Sequence, residues 1–145
     1  MSTTNWNWPD AAKLALSIVV NVEEGSEYSV TKGDPFPEPV DELGVVMKKP
    51  LRMHGNESNY RYGINEGARR IVKLLDEHEI RATWTAAAQS LEVAPELGRI
   101  IQSRGDEACS HGYRWIHQFR LKEDEEREFI RRAAESIEAT TGTRP

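Results

Sequence analysis

Two short stretches hold the side chains best equipped for chemistry. Glu23-Glu24-Gly25 sets two carboxylates side by side directly after an apolar run. His111-Gly112-Tyr113-Arg114-Trp115 gathers an imidazole, a phenol, a guanidinium and an indole within five residues. A carboxylate takes a proton from water or ligates a cation, and an imidazole beside it orients or hands on that proton. Glu23-Glu24 therefore reads as a general base or metal ligand, or as two solvated acids opening a loop. Neighbouring strand residues point to opposite faces, so both acids share a pocket only if the chain turns there, which Gly25 permits. Tyr113 and Arg114 are candidate oxyanion or substrate donors. Arg114 is equally suited to pairing with an acid on the rim, and Trp115 is either a stacking wall or ordinary packing. Glu57, Tyr60 and Tyr62 lie in a long segment that either lines a pocket or anchors itself. Cys109 is expected to be a buried small hydrophobe within a strand, not a nucleophile. His78 reads as surface, and His54 and His117 fall in loop-like stretches.

These groups need elements to position them. Residues 1–13 read as an N-terminal arm whose Trp6 and Trp8 suggest packing against the body. Leu14–Val22 is nearly continuous apolar sequence rich in β-branched residues, which predicts a central parallel strand buried on both faces. Residues 25–63 have no clean period and recurrent Gly and Pro, which predicts a long functional loop. Ile64–Glu79 carries helical periodicity, Arg81–Thr85 reads as a short strand, and Ala86–Val93 adds a helical turn or two. Pro95 opens a helix that Gly105 caps, and Glu107–Ser110 is the third strand. Leu121–Thr141 is a long helix with Phe129, Ile130, Ala133, Ala134 and Ile137 inward, and with Glu123–Arg127 and Glu128–Arg132 as surface pairs. Strand–helix alternation means parallel strands with right-handed crossovers, in an open doubly wound sheet or part of a barrel. Either architecture brings the C-terminal strand ends together, and with them Glu23-Glu24, Thr85 and Ser110-His111.

The 145 residues suffice for one domain, and 30% charged with 38% hydrophobic residues is the balance of a soluble globular chain. A net charge of −5 gives no reason to expect nucleic acid or an anionic membrane as partner. The longest apolar run, Leu14–Val20, is broken by Ser17 and falls short of the roughly 20 residues of a membrane span. It also lacks the flanks of a signal peptide. With one cysteine there is no internal disulfide, and the expected location is the cytoplasm.

The same residues resemble the polysaccharide deacetylase family, the NodB-homology hydrolases. Asn21-Val22-Glu23-Glu24-Gly25 falls on the family's first motif, Thr-Phe-Asp-Asp-Gly. Gly105-Asp106-Glu107-Ala108-Cys109-Ser110-His111 falls on the approach to its second, His-Ser/Thr-x-x-His, and Ala82-Thr83-Trp84 and Pro95-Glu96-Leu97 match as well. Within the family, Ser110–Trp115 and Glu57–Gly63 are similar to the metal-independent allantoinases, which open a small ureide ring with water. The resemblance implies an α/β fold, an irregular (β/α) barrel represented here by three βα units. It implies a hydrolase of non-peptide carbon–nitrogen bonds acting on a small intracellular amide or ureide such as allantoin, or on a sugar amide. It places Glu23, Glu24 and His111 as catalytic, with Glu23 at the family's base position, and Glu57, Tyr60, Tyr113, Arg114 and Trp115 as substrate-binding.

One departure from the family pattern has a chemical consequence. The parent enzymes hold a divalent metal through the second acid and two histidines four residues apart; here those positions are Glu24, His111 and Trp115. Indole does not ligate metals. His117, six residues beyond His111, points elsewhere if the turn is helical, and His54 on the long segment stays open as a replacement. Two ligands do not make a tight zinc site. No cofactor and no tightly bound zinc are therefore expected. Gly142-Thr143-Arg144-Pro145 resembles the opening of the third motif, so residues 14–145 are expected to be the N-terminal portion of such a domain. An open barrel edge then favours a homo-oligomer or association with another chain. The alternatives are a catalytically inactive fragment or a module that binds the small molecule without turnover.

Overall fold

The computed structural model describes residues 8–39 and 47–145. Three parallel strands, β1 (Val19–Val22), β2 (Thr83–Ala86) and β3 (Glu107–Ser110), form a sheet in the order β1-β2-β3. Helices α1 (His54–Tyr62) and α2 (Ala68–Glu77) flank a π turn at Gly63–Gly67 and join β1 to β2. Helices α3 (Ala88–Val93) and α4 (Pro95–Arg104) join β2 to β3, and α5 (Glu123–Thr141) follows β3.

The two-residue strand period decides which face is covered. Val22, Trp84 and Ala86 are buried and pack with Leu75 of α2, Leu91 of α3, Leu97 and Ile101 of α4, and Ala133 and Ile137 of α5. The opposite face carries Val19, Asn21, Glu107 and Cys109, all exposed. The reading of Leu14–Val22 as one strand buried on both faces is thus corrected. Only Val19–Val22 finds a partner in β2, while Leu14 and Leu16 are 75% and 78% exposed. Cys109 is exposed rather than buried, because it lies on the uncovered face of an edge strand. Trp8 is exposed as well, and Trp6 lies outside the described residues.

The segment read as a loop to residue 63 turns helical at His54. Gly55, Asn56, Ser58 and Asn59 are weak helix formers with no apolar stripe, so the pattern is invisible in sequence. Tertiary contact supports it: Asn56 is buried and its side-chain amide donates to the Glu38 carbonyl at 2.9 Å. Helix α5 also differs in detail. The Glu123–Arg127 pair forms at 2.7 Å, but Glu128 pairs with Arg131 instead of Arg132. Ile130 is 59% exposed, while the Arg132 guanidinium lies 3.8 Å from the centre of the Tyr113 ring. Arg132 itself stays exposed while its guanidinium covers the Tyr113 ring in a cation–π contact.

Helices α4 and α5 approach closely at Gly98. A Cβ there would sit 2.7 Å from the Thr140 carbonyl oxygen, which belongs to backbone and cannot yield. Gly98→Ala is expected to cost about 1–3 kcal/mol by overpacking, although alanine is the better helix former. Urea unfolding measures this, and a stabilised variant would contradict the close approach. Among the described residues, no helix is long and apolar enough to cross a membrane.

Candidate active site

Strands β1 and β3 are separated by β2, yet their ends meet through side chains. The register pairs Val22 with Ala86 and Ala86 with Ser110, so Glu23, Ala87 and His111 follow as the next row. Glu23 continues the face of Asn21, and His111 continues that of Cys109. Ala87, small and fully buried, follows Ala86 of the central strand between them. Across that gap, about 10 Å at the usual strand spacing, the Glu23 Oε1 and His111 Nε2 atoms come within 3.5 Å. The backbone is held in place beneath them: Ala87 N–H donates to the Val22 carbonyl at 2.9 Å, and His111 N–H to the Ala86 carbonyl at 2.8 Å.

Glu24 goes the other way. Its carboxylate packs against Gly63, where an added Cβ would collide with it, at the start of the π turn. The chain turns at Gly25, whose φ of 100° suits glycine. A cavity of about 490 Å³ opens at this corner, lined by Glu23, Glu24, Tyr60, Tyr62 and Trp115 together with the apolar Val20, Ile64, Ile71 and Leu97; His111 stands beside Glu23 and is not part of the lining. The Tyr60 ring meets Trp115 edge-on, with centroids 5.8 Å apart. Burial pushes the Tyr60 hydroxyl pKa above its ordinary value, and the negative charges of Glu38, Glu27 and Glu24 add to that, so the phenol stays protonated.

The remaining candidates make other contacts. The Tyr113 hydroxyl donates to Glu92 at 3.0 Å and accepts from Arg132, on the helical side of the sheet. Arg114 forms a two-pronged pair with Asp34, at 3.1 and 2.8 Å, and donates to the Glu27 carbonyl at 3.2 Å. Glu57 is taken by Arg52 at 2.6 Å, and neither residue lines the 490 Å³ cavity. His54 is exposed at the start of α1, and His117 is exposed beside Phe119. Among the described residues, no three of His, Cys, Asp and Glu gather as metal ligands. The donor set thus does not fit the metal site that the two-histidine pattern implies, because the fourth residue past His111 is an indole packed on Tyr60.

Two residues at the site carried no signal in sequence. Ser26 is fully buried and binds the Glu23 carbonyl through both its amide, at 3.1 Å, and its hydroxyl, at 2.5 Å. Asp34 sits among prolines in an aperiodic stretch, and only the fold brings it to Arg114.

A sequence profile of the polysaccharide deacetylase family matches residues 58–145. The chain belongs to the polysaccharide deacetylase family. A curated Schizosaccharomyces pombe protein described as a "putative polysaccharide deacetylase" is 33% identical over 134 residues, covering 90% of this chain and 42% of that one. The crystal structure of PuuE allantoinase is similar at a TM-score of 0.87 and 36% identity, over 95% of this chain and 46% of the other. So is that of a probable polysaccharide deacetylase from Pseudomonas aeruginosa PAO1, at 0.87 and 36%, over 95% of this chain and 47% of the other. The chain therefore spans about half the length of these relatives. Its open, three-stranded parallel sheet is that part of the family's barrel.

Proposed function

We propose that this site belongs to a hydrolase of non-peptide carbon–nitrogen bonds that opens a small amide or ureide such as allantoin, with a carboxylate rather than a metal activating the water. The observation that carries the reading is the Glu23–His111 pair, 3.5 Å apart across β2, beside an indole at the position of a metal histidine. Glu23 takes a proton from water as the water oxygen bonds to the amide carbon. The tetrahedral adduct then collapses, the carbon–nitrogen bond breaks, and His111 relays the proton from Glu23 to the departing nitrogen. Glu24, braced on Gly63, and the Tyr60–Trp115 corner shape the wall. A cavity of about 490 Å³ suits a small ring, and the 36% identity to an allantoinase supports that substrate class.

The test pairs two substrates with metal analysis of protein purified without chelator or added metal. Allantoin is expected to be consumed, chito-oligosaccharide to stay acetylated, and zinc to be well below one per chain. Stoichiometric zinc together with deacetylation would reverse the reading.

One observation favours a second reading, binding without turnover. Tyr113 and Arg114 are both engaged with protein groups, and no lysine or arginine lines the cavity among the described residues. A developing oxyanion then has no charged donor from these residues. Under this reading allantoin raises the melting temperature of the protein but is recovered unchanged.

A further inference from the structure

We infer that Asp34 and Arg114 form a positioning clamp that ties the loop after β1 to the loop after β3 and thereby sets the Glu23–His111 separation. The inference rests on the site proposed above. The two loops are joined at consecutive residues. Trp115 N–H donates to the Ser26 carbonyl at 3.1 Å, and Ser26 in turn holds the Glu23 carbonyl. Next to it the Arg114 guanidinium grips both Asp34 oxygens and the Glu27 carbonyl, and lies 5.0 Å from the centre of the Tyr28 ring. The pair is largely shielded, with 19% and 11% of the two side chains exposed. Asp34 is itself fixed by the Ser29 amide at 2.8 Å, so the guanidinium meets a carboxylate that is already oriented. A fork-to-fork pair of this kind is geometrically specific, and lysine cannot reproduce it. Every link in the chain from Asp34 through Arg114, Trp115 and Ser26 to Glu23 is a hydrogen bond or a peptide bond. His111 stands three residues before Arg114 on the same loop. The clamp therefore acts on the reacting pair from both ends.

The test compares Asp34→Asn, Arg114→Gln and the double variant in two ways. For turnover, each single change is expected to lower kcat by about 10- to 100-fold with KM nearly unchanged, since small misplacements of reacting groups cost this much. The double variant should be no worse than either single one, as for a pair acting as a unit. Hydrogen exchange read by NMR needs no activity. There the Trp115 amide should exchange about tenfold faster in Asp34→Asn, while amides of β2 keep their protection. Arg114 acting directly on substrate would instead raise KM in Arg114→Gln alone, with losses that add in the double variant. That result, or an unchanged Trp115 amide, overturns the clamp. Inactive wild-type protein with a faster Trp115 amide in Asp34→Asn overturns the hydrolase reading and leaves the clamp standing.

Discussion

Glu23→Gln is expected to lower turnover of the small amide by about 10²- to 10⁴-fold, the usual contribution of a positioned general base. The substitution keeps the shape of the side chain and removes only its capacity to take a proton. Glu23 is 3.5 Å from His111 whereas Glu24 is braced on Gly63, so the two acids are not interchangeable although both line the cavity. Glu24→Gln changes a group braced on Gly63 and should cost about tenfold at most, mainly through the cavity wall. Steady-state kinetics on the two variants, with melting temperatures as a folding control, gives the comparison. Full turnover by Glu23→Gln would remove the proposed mechanism, and the reverse ranking would move the base to Glu24.

The largest effect on stability is expected at Asp106. Its carboxylate is fully shielded and accepts from the Trp84 indole at 2.9 Å, the Arg104 guanidinium at 2.8 Å and the Ala82 amide at 3.2 Å. It joins the start of β3 to β2 and to the end of α4. Asp106→Ala leaves the Arg104 Nε–H, the Trp84 indole N–H and the Ala82 amide without their acceptor, while Arg104 keeps Asp76 and the Ile80 carbonyl. Each shielded donor left unpaired costs about 1–3 kcal/mol. Against a total of about 5–15 kcal/mol for an ordinary domain, that is enough to leave much of the chain unfolded at 37 °C. Burial alone would raise the Asp106 pKa, but the hydrogen bonds from Trp84, Arg104 and Ala82 outweigh it and hold the carboxyl below its ordinary value. Asp34 is lowered in the same way, burial opposing and the Arg114 and Ser29 hydrogen bonds prevailing. A carboxyl lowered in the folded state stabilises fully above the ordinary aspartate value, about 3.9, and loses that contribution as pH falls through the lower native one. Acid unfolding is therefore expected below about pH 4. Asp106→Asn should be less stable at neutral pH and less sensitive to acid. Circular dichroism across pH 2–7 reads both, and an acid midpoint unmoved in Asp106→Asn would contradict the assignment.

Some of this was legible in the residues themselves. The strand–helix alternation, the caps at Pro95 and Gly105, and the inward Ala133 and Ile137 follow from period and backbone preference, which act over a few residues. The resemblance at Glu23-Glu24-Gly25 and Ser110–Trp115 pointed to the family that the profile over residues 58–145 and the 33%-identical relative then showed, since the spacing of unusual side chains is readable without any knowledge of contacts. Tertiary structure alone decided the rest. It made α1 a helix although Gly55, Asn56 and Ser58 disfavour one, because Asn56 binds the Glu38 carbonyl. It exposed Cys109 and Leu16, since burial depends on what covers a face and apolar character does not show that. It set Glu23 beside His111 and braced Glu24 on Gly63, although both acids line one cavity. It also drew Arg114, which by type could have been a substrate donor, to Asp34, a residue with no local pattern to mark it. Those pairings join groups far apart along the chain, and only the folded path of the chain brings them within hydrogen-bonding distance.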